Sequence, residues 1–180
     1  MKYAITLLSI LCIVQLSHAQ KKYVTKTASI NFEGSVDSFE PIKAINNSAT
    51  VVLDNAGNLA ALALIKGFRF PVALMQEHFN ENYMESDEFP KATLRGKLLD
   101  FNTFLKDGSQ QTLKFKGSLE MHGVINELEM PVQLTFTDSS YTLNTNFDLD
   151  SEDYDIVIPA IVRKKISKKM NVTVTAIMQE

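Results

Sequence analysis

Two histidines, His78 and His122, and an acidic series, Glu77, Glu81, Glu85, Asp87 and Glu88, are the residues whose types could hold a metal or move a proton. Zinc sites take imidazole and thiolate ligands at short spacings; these histidines share no such spacing, and no thiol stands near them. His78 reads as a hydrogen-bonded structural histidine on the apolar side of a helix, and His122, before Gly123, as a turn residue. The acidic series lacks the spacing of a calcium loop and reads as a solvated helix end. The sequence has no Gly-x-Ser-x-Gly, no motif that assembles a Ser-His-Asp set and no glycine-rich phosphate loop. It therefore predicts no catalytic residue, no metal site, no cofactor and no enzymatic activity. One basic run, Arg163, Lys164, Lys165, Lys168 and Lys169, reads as a solvated loop, with an anionic lipid head group or membrane surface as the alternative.

The elements around these residues are mostly strands. Ile30, Phe32, Gly34 and Val36 alternate with Asn31, Glu33 and Ser35, the period of a half-buried strand. Val51 and Leu53 lead into the turn signal Asp54-Asn55-Ala56-Gly57-Asn58, and Leu59 to Ile65 reads as a short strand before Gly67. Ala92, Leu94, Gly96 and Leu98 alternate next, and Asp107-Gly108 marks a turn. Leu113, Phe115, Gly117, Leu119 and Met121 form the clearest alternation, opposite Lys114, Lys116, Ser118 and Glu120. Val132, Leu134 and Phe136, a turn at Asp138-Ser139-Ser140, Tyr141 to Leu149, and Val172 to Met178 complete the series. Strands so spaced, without strand–helix alternation, predict an antiparallel sheet that closes as a barrel or folds as a sandwich. Gly96 and Gly117 are expected to relieve crowding where strands bend.

Between Phe70 and Pro90 the period changes. Met75, Phe79 and Tyr83 recur every four residues, with Leu74 and His78 on the same side, and Pro71 stands where a first helical turn tolerates proline. This predicts one short amphipathic helix, whose stripe must be buried against the open end of the curled sheet.

At the N-terminus, Lys2, the apolar run Ala4 to Leu16 and Ser17-His18-Ala19 predict a signal peptide over residues 1–19 and a single exported domain over 20–180. Export removes Cys12, the one cysteine, so the mature chain is expected to fold in an oxidising compartment without disulfides. A formal charge of −3 and pI near 5.7 argue against nucleic acid as a partner, and no second apolar segment is long enough to span a membrane.

Several of these stretches resemble the YceI-like family. The run Gly117-Ser118-Leu119-Glu120-Met121-His122-Gly123-Val124, with Pro131-Val132, is similar to that family's strand-turn-strand with its His-Gly-Val turn. His78-Phe79, Tyr83-Met84 and Phe89-Pro90 resemble its helix and aromatic-proline ending. Asp153-Tyr154-Asp155-Ile156, Pro159 and Lys165-Ile166-Ser167 resemble its C-terminal pattern. The resemblance implies a mainly β protein, a single antiparallel lipocalin-like β-barrel with one short helix near its mouth. It also implies a periplasmic or secreted location and a polyisoprenoid or similar lipid inside the barrel. Many members carry an Arg-Asp pair shortly ahead of the His-hydrophobic step; Leu74, Met75, Gln76 and Glu77 occupy that region here, a departure that bears on head-group recognition.

The expected function is to hold an elongated apolar ligand, an isoprenoid or fatty-acyl amphiphile, without covalent attachment. Alternation and large apolar surface select Ile30, Phe32, Leu113, Phe115, Leu119, Leu134, Phe136 and Val174 as candidate wall residues, with Met75, Phe79 and Tyr83 closing one end. The alternative is a barrel filled with side chains whose loops bind a partner protein, since a small barrel can take either form.

Overall fold

The computed structural model describes residues 21–36, 41–102, 107–162 and 164–180; the expected signal peptide and Arg163 lie outside the described residues. Eight strands, β1 (Lys22–Ser35), β2 (Lys43–Asp54), β3 (Asn58–Leu64), β4 (Lys91–Leu98), β5 (Gln110–Met121), β6 (Val124–Thr137), β7 (Ser140–Asp150) and β8 (Ile166–Gln179), form a closed barrel in chain order. Every neighbouring pair is antiparallel, and β8 returns to pair with β1 through Ile30 opposite Val174 and Phe32 opposite Val172. Closure leaves no free sheet edge. The mainly β barrel with one short helix is therefore the observed fold.

Side-chain alternation sorts each strand into an inner and an outer face. On β5, Phe115 and Leu119 are buried, whereas Lys114, Lys116 and Glu120 are exposed. Across the outer face, Lys114 and Lys116 both pair with the Glu129 carboxylate of β6, whose ionised form they favour. Two hairpin turns have both residues at positive φ: His122 and Gly123 between β5 and β6, and Asp138 and Ser139 between β6 and β7. That backbone twist matches the twist of the flanking strands. At Gly123 a Cβ would also meet the Phe89 ring at 2.8 Å.

Antiparallel order places the β2–β3, β4–β5 and β6–β7 connections at one end, the base. The β1–β2, β3–β4, β5–β6 and β7–β8 connections lie at the other, the mouth. The base is filled. Tyr141 is 1% exposed and meets the rings of Tyr23, Phe136 and Phe101 at centroid distances of 4.6, 5.0 and 5.8 Å. Leu53, Leu98, Phe115, Val132, Leu134 and Met178 are fully buried in the same core. Gly96 and Gly117 face each other across β4 and β5, and a Cβ on either would lie 2.6 or 2.7 Å from Phe115 Cζ. Beyond any strand bending, the glycine pair makes room for that ring.

Asp54 organises the β2–β3 turn at the base. Its Oδ1 accepts the N–H groups of Ala56 and Asn58 at 2.8 and 2.9 Å, and its Oδ2 accepts Asn58 Nδ2 at 2.7 Å. Burial alone would raise the carboxyl, but these donors and the Lys22 charge outweigh it and hold Asp54 below the ordinary carboxylate range. The unfolded chain therefore binds the proton more readily. Its contribution to stability is complete above the unfolded value and is lost as pH falls through the folded one. Asp54→Ala should cost about 1–2 kcal/mol in urea unfolding near neutral pH, and the difference should shrink in acid, below the folded value.

Candidate ligand cavity

The mouth half of the barrel is hollow. A cavity of about 570 Å³ opens there, within the range of roughly 300–1,000 Å³ typical of small-molecule sites. Val51, Leu59, Met130 and Leu143 lie deepest along its lining; Ile30, Phe32, Leu94, Leu119, Phe147 and Val174 form walls above them. The lining is almost wholly aliphatic and aromatic.

The helical segment closes part of the mouth. A 3-10 turn, Ile65–Gly67, leaves β3, and α1, Ala73–His78, continues as a wider π turn through Phe79–Tyr83. The element is shorter than the Phe70–Pro90 stretch suggested. Pro71 precedes the N-cap residue Val72 instead of standing in the first turn, and Gln76 Oε1 turns back to accept the Phe70 N–H at 3.1 Å. Phe79 is the anchor. Its ring stacks on Phe32 of β1 at 5.5 Å and meets Phe70 at 4.9 Å and Phe68 at 5.9 Å. Aromatic contacts of this kind add to plain area burial, so they hold the helix against the wall.

Of the residues chosen from sequence, Ile30, Phe32, Met75, Phe79, Tyr83, Leu119 and Val174 border the cavity. Leu113, Phe115, Leu134 and Phe136 do not; they belong to the packed base or lie against it. The sequence pattern cannot separate these groups, because both alternate inward on the same strands. Several lining residues escaped it. Ile156, Ile158 and Val162 come from the connection between β7 and β8, and Phe68 and Phe70 from the segment entering α1. The alternation of Ile156 and Ile158 within a non-strand segment was the available signal.

Few polar groups reach the cavity; two of them are already engaged, and the buried Ser151 Oγ has no hydrogen-bond partner among the described residues. Thr145 Oγ1 donates to the Pro131 carbonyl at 2.6 Å, and Asp150 Oδ1 accepts the Glu152 N–H at 3.0 Å. Burial pushes the Tyr83 phenol up, which keeps it neutral. Lys165 and His78 stand at the rim. His78 is exposed and makes no hydrogen bond among the described residues, which corrects its reading as a hydrogen-bonded structural histidine.

His122 occupies the turn expected of it, and its ring ties the mouth together. Nδ1 lies 3.0 Å from the Tyr154 carbonyl oxygen and Nε2 3.0 Å from Glu85 Oε2, while Phe89 packs on the ring at 4.7 Å. Both partners are acceptors, so both contacts are hydrogen bonds when the imidazole carries both protons. Helix exit, β5–β6 turn and the 3-10 turn Ser151–Tyr154 are thereby joined. Among the described residues no group of three or more His, Cys, Asp or Glu side chains could hold a metal ion, and no helix is long and apolar enough to cross a membrane.

Residues 14–178 match the model of the YceI-like domain. No curated protein matches the sequence. Among solved structures, the chain is similar to a polyisoprenoid binding domain from Saccharophagus degradans implicated in plant cell wall breakdown, with TM-score 0.77 and 12% identity over 89% of this chain and 98% of that one. It is also similar to BcnA of Burkholderia cenocepacia, with TM-score 0.68 and 12% identity over 84% and 96% of the two chains. The YCEI protein of Campylobacter jejuni aligns with TM-score 0.57 and 13% identity over 74% of this chain and 81% of that one. At such identities the likeness is one of fold.

Proposed function

Because the chain belongs to the YceI-like domain family, we propose that it is an exported, non-enzymatic lipid-binding protein. It holds an elongated apolar ligand, an isoprenoid or fatty-acyl amphiphile, in the mouth half of its barrel. The observation that carries this reading is the apolar cavity of about 570 Å³ above a packed base. A barrel filled throughout would favour a protein-interaction domain instead. The Saccharophagus degradans relative, a polyisoprenoid binding domain, supports the ligand class.

The energetics suit such a ligand. Each buried methylene contributes about 0.8 kcal/mol, so one five-carbon isoprene unit contributes about 3–4 kcal/mol before the cost of ordering the chain. With Thr145 and Asp150 hydrogen-bonded and Ser151 Oγ the one buried polar atom of the lining without a partner among the described residues, the almost wholly apolar walls select shape and length more than chemical identity. Ligand length beyond the depth of the cavity must leave through the mouth, because Tyr141 and its ring partners block the base.

Native mass spectrometry of protein taken gently from its own host tests both halves of the reading. The expected species lacks Met1 to Ala19 and carries a solvent-extractable apolar ligand. Protein that is ligand-free and takes up neither a fatty-acyl nor an isoprenoid probe would overturn the ligand assignment. A mass retaining the first nineteen residues would overturn export with cleavage.

A further inference from the structure

Three of the most exposed apolar side chains stand around the mouth. Ile161 is 88% exposed, Val157 69% and Leu74 58%. In the loop leading into β8, Ile156, Ile158 and Val162 face the cavity, and the residues between them are turned outward. Lys164 and Lys165 follow, and Lys169 stands near the start of β8. All are exposed, and among the described residues none has a carboxylate within ion-pair distance, whereas Lys168 is paired with Glu152 at 2.5 Å.

We propose that this edge of the mouth is a docking surface for an anionic lipid bilayer. Val157 and Ile161 enter the boundary between head groups and acyl chains, and Lys164, Lys165 and Lys169 meet the anionic head groups, while Leu74, beside Glu77 on the helix, stays at the rim. Aliphatic tips beside amines are the composition that binds lipid interfaces, where apolar burial and attraction to anionic lipids add. Position supplies the second argument. The tips ring the opening of an apolar cavity, so a docked protein would pass its ligand between cavity and acyl phase without crossing water. The docking surface deepens the lipid-binding reading and rests on it for its purpose.

The charge around the mouth is uneven and sets the orientation. Glu77, Glu81, Glu85 and Glu88 are exposed on the helix side, and Asp153 and Asp155 stand before the loop. An anionic bilayer repels these groups. The barrel therefore approaches tilted, with the lysine side of the loop leading and the carboxylates held further from the surface.

The test is co-sedimentation of purified, delipidated protein with vesicles of pure phosphatidylcholine and with vesicles containing about one-third phosphatidylglycerol. Binding is expected to the anionic vesicles alone and to fall as salt is raised. Val157→Ser with Ile161→Ser should weaken partitioning about tenfold, and Lys164→Gln with Lys169→Gln by a similar factor. Neither pair borders the cavity, so both variants should still take up a fluorescent fatty-acyl probe added from solution. Failure to bind either vesicle, or binding that neither pair of substitutions weakens, would overturn the proposal. Anionic-vesicle binding that both pairs weaken, in protein that takes up no probe, would support the docking surface and sink the ligand reading.

Discussion

Ala61→Phe is expected to weaken uptake of a fatty-acyl or isoprenoid probe by about a hundredfold while the barrel stays folded. Ala61 lies on β3 between Val51 and Leu94, is half-buried, and borders the cavity. A ring placed there enters open space, so the usual overpacking cost of about 1–3 kcal/mol should fall at its lower end. The ligand loses more. A hundredfold corresponds to about 2.7 kcal/mol, roughly the burial of three methylenes, and an aromatic ring displaces at least that much chain. Fluorescence titration beside a thermal melt separates the two effects. Unchanged affinity in a protein of unchanged stability would mean that the ligand does not occupy this part of the barrel.

Phe115→Ala is expected to act on stability instead, by about 3–5 kcal/mol. Phe115 is 0% exposed, stands opposite Leu98 on one side and Met130 on the other, and lies over the Gly96–Gly117 pair. No neighbouring side chain projects from those glycines to refill the site, so most of the void should remain. For a domain of this size the loss corresponds to a fall in melting temperature of about 10 °C. Phe115→Trp should also destabilise, because the larger ring has no open space to enter. The sequence placed Phe115 among the candidate wall residues, and its seat in the packed base is what turns the substitution into a test of packing. Urea unfolding provides the measurement. A loss below about 1 kcal/mol for the alanine variant would show that the ring is not packed as described.

The order of the elements was legible in the sequence because its causes are local. Alternation along Leu113 to Met121 reports a strand with one buried face, and Asp107-Gly108 and Asp138-Ser139 report turns that the backbone itself prefers. The four-residue recurrence of Met75, Phe79 and Tyr83 likewise located the one helical segment, although its π turn and its start after Pro71 were not readable from spacing. Void and core were decided only by the closed barrel. Phe115 and Leu119 share a strand, a face and an apolar character, yet one is packed in the base and the other borders the cavity. What separates them is distance from the aromatic plug around Tyr141, and that plug assembles only when closure brings Tyr23 and Phe101 to the Phe136–Tyr141 pair of the β6–β7 hairpin. His122 makes the same point. Its place in a turn follows from local spacing, but its bond to Glu85 spans 37 residues of sequence and exists only because closure brings the helix exit beside the β5–β6 turn.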